Sequence, residues 1–532
     1  MSAADAQTMT TAFDTEAAEL LAAAAADTSG LVAPSVYDTA RLVSLAPWLD
    51  GHRARLDYLL TEQQPDGGWG APDGYAVVPT LSAVEALLAE FARATTDGDD
   101  ATTDAVARGL AFLRDQFAMG EQLEVPDTIG VEFVAPALLE DINTRLARLP
   151  ADAPGKLAAW AGVTLSSRSS ELDPTLLTAV REIVRETPLS SKLWHTLEAM
   201  GLECHTRVKP HNGSVGCSPA ATAAWLAGTG QRDAEAVEYL RSVQERFGGP
   251  VPSITPITYF EHAWVLNSFA VSGLEYQAPA VMLDSLESGL TEEGIPAAAG
   301  LPVDSDDTAA ALFALAQHGR GRRPDALMHF QRDGYFACFG TERTPSTSTN
   351  AHILEALGYH VAQHPQDAGR YGAAIRMITA WLLETQLPDG SWIDKWHASP
   401  SYATACCALA LAHFGGPGTA DAVRRSVDWA LETQRRDGSW GRWTGTTEET
   451  AYMVQVLLRT DALTGGREDL ARATARAAAR GCATLLAHDD PQSYPGLWHD
   501  KDIYAPVTVI RAARLAALAL GRRLPVDLRD AR

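Results

Sequence analysis

A seven-residue motif that recurs three times constrains the fold of this chain more than any other feature. Gln63-Gln-Pro-Asp-Gly-Gly-Trp69, Gln386-Leu-Pro-Asp-Gly-Ser-Trp392 and Gln434-Arg-Arg-Asp-Gly-Ser-Trp440 share the form Gln-x-x-Asp-Gly-(Gly/Ser)-Trp. Each follows a helix-like segment, such as Ala380–Glu384 or Ser426–Glu432. Asp-Gly supplies a turn with one left-handed position. The Trp can then lie back over the helix end while the Gln bonds to neighbouring backbone. One copy would be a plain helix-ending turn. Three copies, the last two 48 residues apart, mark a repeating helical architecture. Phe330-Gln-Arg-Asp-Gly-Tyr-Phe336 reads as a worn fourth copy.

A second repeat alternates with the first: a Ser/Thr-rich start runs into an Ala-rich helix. Ser218-Pro-Ala-Ala-Thr-Ala-Ala-Trp225, Ser399-Pro-Ser-Tyr-Ala-Thr-Ala-Cys406 and Thr446-Thr-Glu-Glu-Thr-Ala-Tyr-Met453 are examples. Thr446 with Glu449 forms a capping box. Small Ala faces let helices pack closely, and outer and inner helices alternating every ~40–55 residues predict α/α barrels or an α-solenoid. The apolar residues are mostly Ala and Leu, which favours helix over strand. No period-2 stretch of useful length occurs, so the fold class is all-α. The irregular Gly294–Pro302 segment marks a domain junction, and Ala46–Gly51 is the other soft point.

A chain of 532 residues is too long for one small core, and two domains are expected. Its 43 Lys+Arg against 67 Asp+Glu give a net charge of −24, which repels DNA and anionic membranes and counts against a nucleic-acid binder. A local basic pocket for an anion is still compatible with that balance. The six cysteines, Cys204, Cys217, Cys338, Cys406, Cys407 and Cys482, form no C-x-x-C pair, which suits a reducing cytoplasm. The apolar run Leu20–Ala26 is short and preceded by Glu16 and Glu19. It reads as part of a helix from about Thr11 to Ala26, neither signal peptide nor membrane span.

One helix start is abnormal. Pro302-Val-Asp304-Ser-Asp306-Asp307-Thr308 carries three carboxylates in four residues. One Asp suffices to cap a helix. Crowded carboxylates raise one another's pKa, and a carboxylic acid kept neutral at neutral pH can act as a general acid. The helix dipole opposes that rise, so spacing alone leaves capping and catalysis both open.

Asp304-Ser-Asp306-Asp307-Thr308-Ala is similar to the D-x-D-D-T-A motif of class II terpene cyclases, and the Gln/Trp motifs resemble the QW repeats of that superfamily. Gly130-Val-Glu132-Phe-Val-Ala-Pro136 resembles the G-x-E-x-x-x-P segment of class II diterpene cyclases, and Trp194-His195-Thr-Leu-Glu198 their L-H-S-L-E segment. Ser214-Val-Gly-Cys-Ser-Pro219-Ala-Ala-Thr-Ala resembles G-S-F-x-x-S-P-x-x-T-A. Val251–Pro256 with Phe260-Glu-His-Ala-Trp264 resembles V-P-x-x-x-P…F-E-H-x-W, and Asp333-Gly-Tyr-Phe-Ala-Cys-Phe339 resembles D-G-E-F-x-C-F. The resemblance runs from about residue 40 to 510.

The resemblance implies two α/α-barrel domains, β (residues 1–45 and 290–532) and an inserted γ (residues 46–289), with the active site between them. It implies protonation of the terminal alkene of geranylgeranyl diphosphate by Asp306. Asp304 and Asp307 would hold its protonation and orientation, and Asn350 matches an Asn that supports the acid in plant relatives. The product would be a copalyl diphosphate that retains its diphosphate. The ent form is favoured, with normal, syn or halimadienyl skeletons as alternatives. His195 matches the terminating base of plant ent-copalyl enzymes, although Ser253 stands where their partner Asn would be. Family members use Mg2+, for which Glu121, Glu124 and Asp127 are the local candidates, while Lys192, Arg181, Arg185 and Lys501 are candidates for the diphosphate. A carbocation requires a dry, apolar site, and aromatic faces can stabilise it. Trp264, Trp396, Tyr402 and Trp498 are candidates for that role. The implied enzyme is cytoplasmic, works in diterpene biosynthesis without stable membrane insertion, and is compatible with a homodimer.

Class I chemistry would need D-D-x-x-D on a further α domain. Asp99-Asp100-Ala-Thr-Thr-Asp104 is the nearest string and reads as a solvated loop, with no α domain to carry it. A protein prenyltransferase subunit would need an Asp/Cys/His zinc set. An (α/α)-barrel glycoside hydrolase would use paired carboxylates but has no need of D-x-D-D-T-A beside QW motifs. A squalene–hopene-type cyclase shares both motifs but usually has a longer chain and a membrane-inserting patch. A non-catalytic helical scaffold leaves the three aspartates unexplained.

Overall fold

A computed structural model describes residues 3–93, 100–230, 232–340, 342, 344–460 and 468–524. These residues are mostly helical; the strand pair among them is a short antiparallel hairpin, Trp498–His499 with Ile503–Tyr504. The all-α reading holds, and the hairpin is too short to leave a period-2 pattern.

The three Gln/Trp motifs fold alike. The indole Nε1 of Trp69, Trp392 and Trp440 donates back to the preceding helix, to the carbonyls of Leu59, Leu382 and Ala430 at 2.7, 2.8 and 2.7 Å. The Gln side chain bonds the carbonyl of its own turn and also crosses to the next outer helix. Gln63 reaches Ala105 O at 2.9 Å, Gln386 reaches Ala422 O at 2.9 Å, and Gln434 reaches Ala477 O at 2.8 Å. The Trp backbone N–H donates to a Thr hydroxyl of the following inner helix: Thr80, Thr404 or Thr450. Each motif therefore ties three successive helices together. The turn needs glycine: Gly390 has φ 94°, and a Cβ there would lie 2.4 Å from the Arg425 carbonyl oxygen.

Among the described residues, six helices touch in a closed circuit: Thr258–Ala270, Ser305–Gln317, Thr347–Gln363, Pro400–Phe414, Thr447–Arg459 and Val507–Gly521, the last returning to the first. A second circuit runs through Val36–Leu45, Val77–Arg93, Val131–Arg148, the 3₁₀ segment Ser191–Ala199 and Pro219–Thr229. Each circuit encloses its own apolar core. One core gathers buried residues from 13–32 and 257–524, and the other from 36–251. The sequence placed the boundaries at 46 and 290. The helices Val36–Leu45 and Thr258–Ala270 instead join the core on the other side of those boundaries, because their buried faces pack on Val77–Arg93 and Ser305–Gln317 respectively.

The first helix, Ala3–Ala26, starts earlier than expected and packs on Val507–Gly521. Asp99 of the D-D-x-x-D-like string lies outside the described residues. Asp104 sits on the Asp100–Phe117 helix, paired with Arg108 and Lys156. No helix among the described residues is long and apolar enough to cross a membrane. All six cysteines are free thiols.

Candidate active site

A cavity of about 580 Å³ opens between the two units. Asp127, Glu132, Lys192 and His195 line it from the 36–251 unit, and Asp304, Asp306, Asp307, Trp396, Trp498 and Asp500 from the other. Ile254, Ile257, Phe260, Leu301 and Phe339 make much of the wall between these polar groups.

The acid motif starts the Ser305–Gln317 helix. Asp304 is the N-cap, its Oδ1 accepting from Asp307 N–H at 2.8 Å. Burial pushes Asp304 up to about 7, with the negative charge of Asp306 adding to the rise. Burial and then the neighbouring Asp304 push Asp307 well above the usual carboxylate range. Two of the three aspartates are thus biased towards the neutral acid, and the cap does not overcome their burial. Asp306 Oδ1 is bonded to His352 Nδ1 at 2.7 Å. Burial works against charge on His352, but the Asp306 carboxylate outweighs it and holds the imidazolium well above its ordinary range.

His352 was not singled out from the sequence; Asn350 was. Asn350 is buried and fully engaged with backbone: Oδ1 accepts from Phe336 N–H at 2.8 Å, and Nδ2 donates to the carbonyls of Phe336 and Ser346. Phe336 ends the worn fourth motif, so Asn350 does there what Thr80, Thr404 and Thr450 do for the tryptophans. It is a repeat staple and makes no bond to Asp306. One helical residue spans about 100°, so two positions along the helix turn His352 to another face.

His195 is buried with both ring nitrogens bonded, Nδ1 to Gly216 O at 2.7 Å and Nε2 to Asp500 Oδ1 at 2.7 Å. Asp500 sits in the hairpin turn, 305 residues away in sequence. Burial opposes both charges, but each partner outweighs it: His195 is raised and Asp500 lowered, the pattern of an ion pair. Ser253 is buried and does not line the cavity.

Of the basic candidates, only Lys192 reaches the cavity. Its Nζ lies 5.0 Å from the Phe339 ring centre, and burial and then nearby Lys395 lower its pKa. Lys395, absent from the sequence-derived set, also lines the cavity, paired with Glu342 and 4.8 Å from the Trp396 ring centre. Lys501 is sealed away from the cavity, its ammonium held by Glu198 at 2.9 Å, Asp38 at 3.2 Å and Ser218 Oγ at 2.7 Å. Arg181 is tied to Glu140 and the Ala199 carbonyl, and Arg185 is exposed outside the cavity.

Trp396 and Trp498 line the cavity. Trp264 and Tyr402 stand behind them, Tyr402 with its ring centre 4.7 Å from that of Trp498, and both face a smaller cavity of about 110 Å³. Glu121 and Glu124 are exposed and outside the main cavity, which Asp127 alone of the three lines. Among the described residues, no group of three or more His, Cys, Asp or Glu side chains is arranged to hold a metal ion. Of the three magnesium candidates, only Asp127 is placed where it could share an ion with a substrate phosphate in the cavity.

The squalene-hopene cyclase C-terminal domain family model matches residues 336–508. The chain is 45% identical to an ent-copalyl diphosphate synthase of Streptomyces sp. (strain KO-3988), over 95% of this chain and 96% of that protein. It is 40% identical to a labda-7,13-dienyl diphosphate synthase of Streptomyces clavuligerus, over 96% and 93% of the two chains. The solved structure of ent-copalyl diphosphate synthase from Streptomyces platensis superposes with a TM-score of 0.91 at 69% identity, covering 96% of this chain and 99% of that one.

Proposed function

The chain belongs to the class II diterpene cyclase family, and from that premise we propose that it cyclises geranylgeranyl diphosphate to ent-copalyl diphosphate in the cavity between its two units. The observation that carries the reading is the Asp306–His352 pair, set beside two aspartates biased towards neutrality at one side of a largely apolar, aromatic-walled cavity. The ent product is supported by the names of two relatives, one of them 69% identical.

In this reading the two units are the γ and β α/α barrels. For turnover Asp306 must take up a proton on Oδ2 while His352 still donates to Oδ1. A cationic donor on one oxygen stabilises the carboxylate left behind once the other oxygen has given up its proton. Asp304 and Asp307, biased towards the neutral acid by burial, surround it with less negative charge than two ordinary carboxylates would. The proton adds to the terminal alkene, and the tertiary cation is captured by the next double bonds in turn. Trp396, Trp498 and Phe260 offer ring faces to the moving charge, each worth about 0.5–2 kcal/mol. Lys192 and Lys395 hold the diphosphate end, which stays attached because no bond to phosphorus breaks. The enzyme works in the cytoplasm on this small molecule.

Incubation with geranylgeranyl diphosphate, dephosphorylation and chiral gas chromatography test the reading, with Asp306→Asn as control. The expected result is ent-copalol from the wild type and none from the variant, because an amide cannot protonate an alkene. Turnover by Asp306→Asn above about a hundredth of wild type rejects Asp306 as the acid.

A further inference from the structure

We propose that Glu448 is the counter-charge that draws the carbocation away from the acid and along the Trp498 face of the cavity. It acts through Trp498 and touches no substrate, so it is a positioning residue. The inference rests on the cyclase reading above and names the group that steadies the intermediate.

Glu448 lies in the first turn of the Thr447–Arg459 helix, where the backbone dipole favours a carboxylate. Its neighbour Glu449 is taken up by the capping box with Thr446. Glu448 is buried and turned to the aromatic wall instead. Three donors converge on its Oε1: Trp498 Nε1–H at 2.7 Å, Tyr452 Oη–H at 3.0 Å and His397 Nε2 at 3.4 Å. The Ser399 backbone N–H donates to His397 Nδ1 at 3.0 Å, so the imidazole is neutral and carries its hydrogen on Nε2. Glu448 Oε2 is buried without a hydrogen-bond partner, so a proton there would have no acceptor. A carboxyl group that takes three donors on one oxygen is held as the carboxylate. Among the described residues no Lys or Arg pairs with it, so its charge stands uncompensated inside the protein.

Trp498 carries that charge to the cavity wall. Its ring stands between two side chains that line the cavity, with centres 5.2 Å from Phe260 and 6.5 Å from Tyr504, and it lines the cavity itself. Of the two indoles in the wall, Trp498 donates to a carboxylate, while Trp396 Nε1 has no partner. An indole N–H bonded to an anion leaves the ring more electron-rich, so its face attracts a cation more strongly. The field reaches the cavity: burial, then the charges of Asp500, Asp307 and Glu448, raise the Tyr504 hydroxyl well above its ordinary range. On Asp307 the groups that weigh most after burial are Asp304, Asp306 and His352, so Glu448 acts more on the cavity than on the acid.

The alkene is neutral until it is protonated. Glu448 therefore has little to attract in the bound substrate and a full cation once the reaction has begun, which raises kcat and leaves KM alone. A unit charge about 8 Å from the cation, at an effective dielectric of about 20, changes the rate about 30-fold. As the second ring closes the cation leaves Asp306, and the attraction favours completion over early capture.

The test compares single-turnover rates and products of wild type, Glu448→Gln and Tyr452→Phe with geranylgeranyl diphosphate. Glutamine keeps the shape and an oxygen for the three donors but removes the charge. Its rate should fall about 10–100-fold, with a larger share of monocyclic or hydroxylated diphosphates. KM should move less than about threefold, and Tm should be no lower than in wild type, because a buried unpaired charge is gone. Tyr452→Phe removes one donor but leaves the charge, and should lose far less. A Glu448→Gln rate within about threefold of wild type, with the same product, overturns the proposal. An equal loss in Tyr452→Phe also overturns it, by marking the network as merely structural. No turnover by wild type would instead sink the cyclase reading. Neutron crystallography of perdeuterated wild type needs no variant to fold. Hydrogens on His397 Nε2 and Trp498 Nε1, and none on Glu448, are the expected result; a hydrogen on Glu448 Oε2 overturns the proposal whatever the substrate.

Discussion

Replacing His352 with Phe isolates the contribution of the cation behind the acid. The pair is nearly closed to solvent, with side chains 13% exposed for Asp306 and 12% for His352, and its N···O contact is 2.7 Å. Charge centres about 4 Å apart at an effective dielectric of about 20 interact by about 4 kcal/mol. A single positioned donor to a developing oxyanion is worth about 3–4 kcal/mol, which agrees. At about 1.4 kcal/mol per factor of ten, kcat should fall about 10²–10³-fold. KM should change little, because His352 supports Asp306 rather than the substrate's tail. His352→Asn, which can keep a neutral hydrogen bond about half as strong, should lose only about 10–10²-fold. The assay is single-turnover conversion of geranylgeranyl diphosphate with product quantified after dephosphorylation. Circular dichroism controls for folding, since His352 also meets the Trp264 ring edge-on with centres 5.3 Å apart. A fall in kcat of less than about tenfold for His352→Phe would refute the view that this cation supports the carboxylate left by the proton transfer.

Three further outcomes follow from the same geometry. Asp304 is raised from 3.8 to about 7 by burial, so its contribution to stability is full below pH 3.8 and lost as pH rises through about 7. Denaturant unfolding across that range should show wild-type stability declining, and Asp304→Asn should flatten the decline; an equal slope in both counts against a buried neutral Asp304. Lys501→Met removes one partner of a buried cluster and should cost about 3–5 kcal/mol of stability, seen as a lower Tm, with KM for the substrate little altered. A specific rise in KM without loss of stability would restore Lys501 as a diphosphate contact. Lys395→Ala should raise KM about tenfold or more while kcat falls less, the signature of uniform binding, and an unmoved KM removes it from the diphosphate end.

What was readable in the sequence is what local chemistry dictates. The Gln/Trp motif carries its whole geometry within seven residues and one neighbouring helix, and the Asp304–Asp307 string carries its own cap and crowding. The partners of those residues were not readable. Asp306 meets a histidine 46 positions away, and His195 an aspartate 305 positions away. Asn350 and His352 sit two residues apart on one helix, and only helical phase separates staple from acid partner. A signal for Asn350 did exist: if Phe336 ends a worn motif copy, the next inner helix must supply a hydroxyl or amide for its N–H, as Thr80, Thr404 and Thr450 do elsewhere. Lys501 misled because basicity predicts phosphate contact only for a side chain that reaches the cavity, and Asp38 and Glu198 claim this one first.

The adjacent pair Asp500-Lys501 shows why the site requires both units locked together. Lys501 drives its ammonium into the 36–251 unit, between Asp38 and Glu198, while Asp500 beside it pairs with His195 of the same unit. Tyr75 closes on His499 at 2.8 Å, and Asp73 takes Arg442 at 3.0 Å and Trp443 at 2.8 Å across the same junction. A carbocation survives only where water is kept out, and a cavity between two units is dry only if the seam cannot open. The seam is held by charges that are costly to bury singly but mutually satisfied when the units are docked. Pulling the units apart would strand Lys501 from its two carboxylates and His195 from Asp500 in one motion. The contacts that exclude water are therefore the same contacts that place His195 and Asp500, so the cavity cannot loosen without also displacing both.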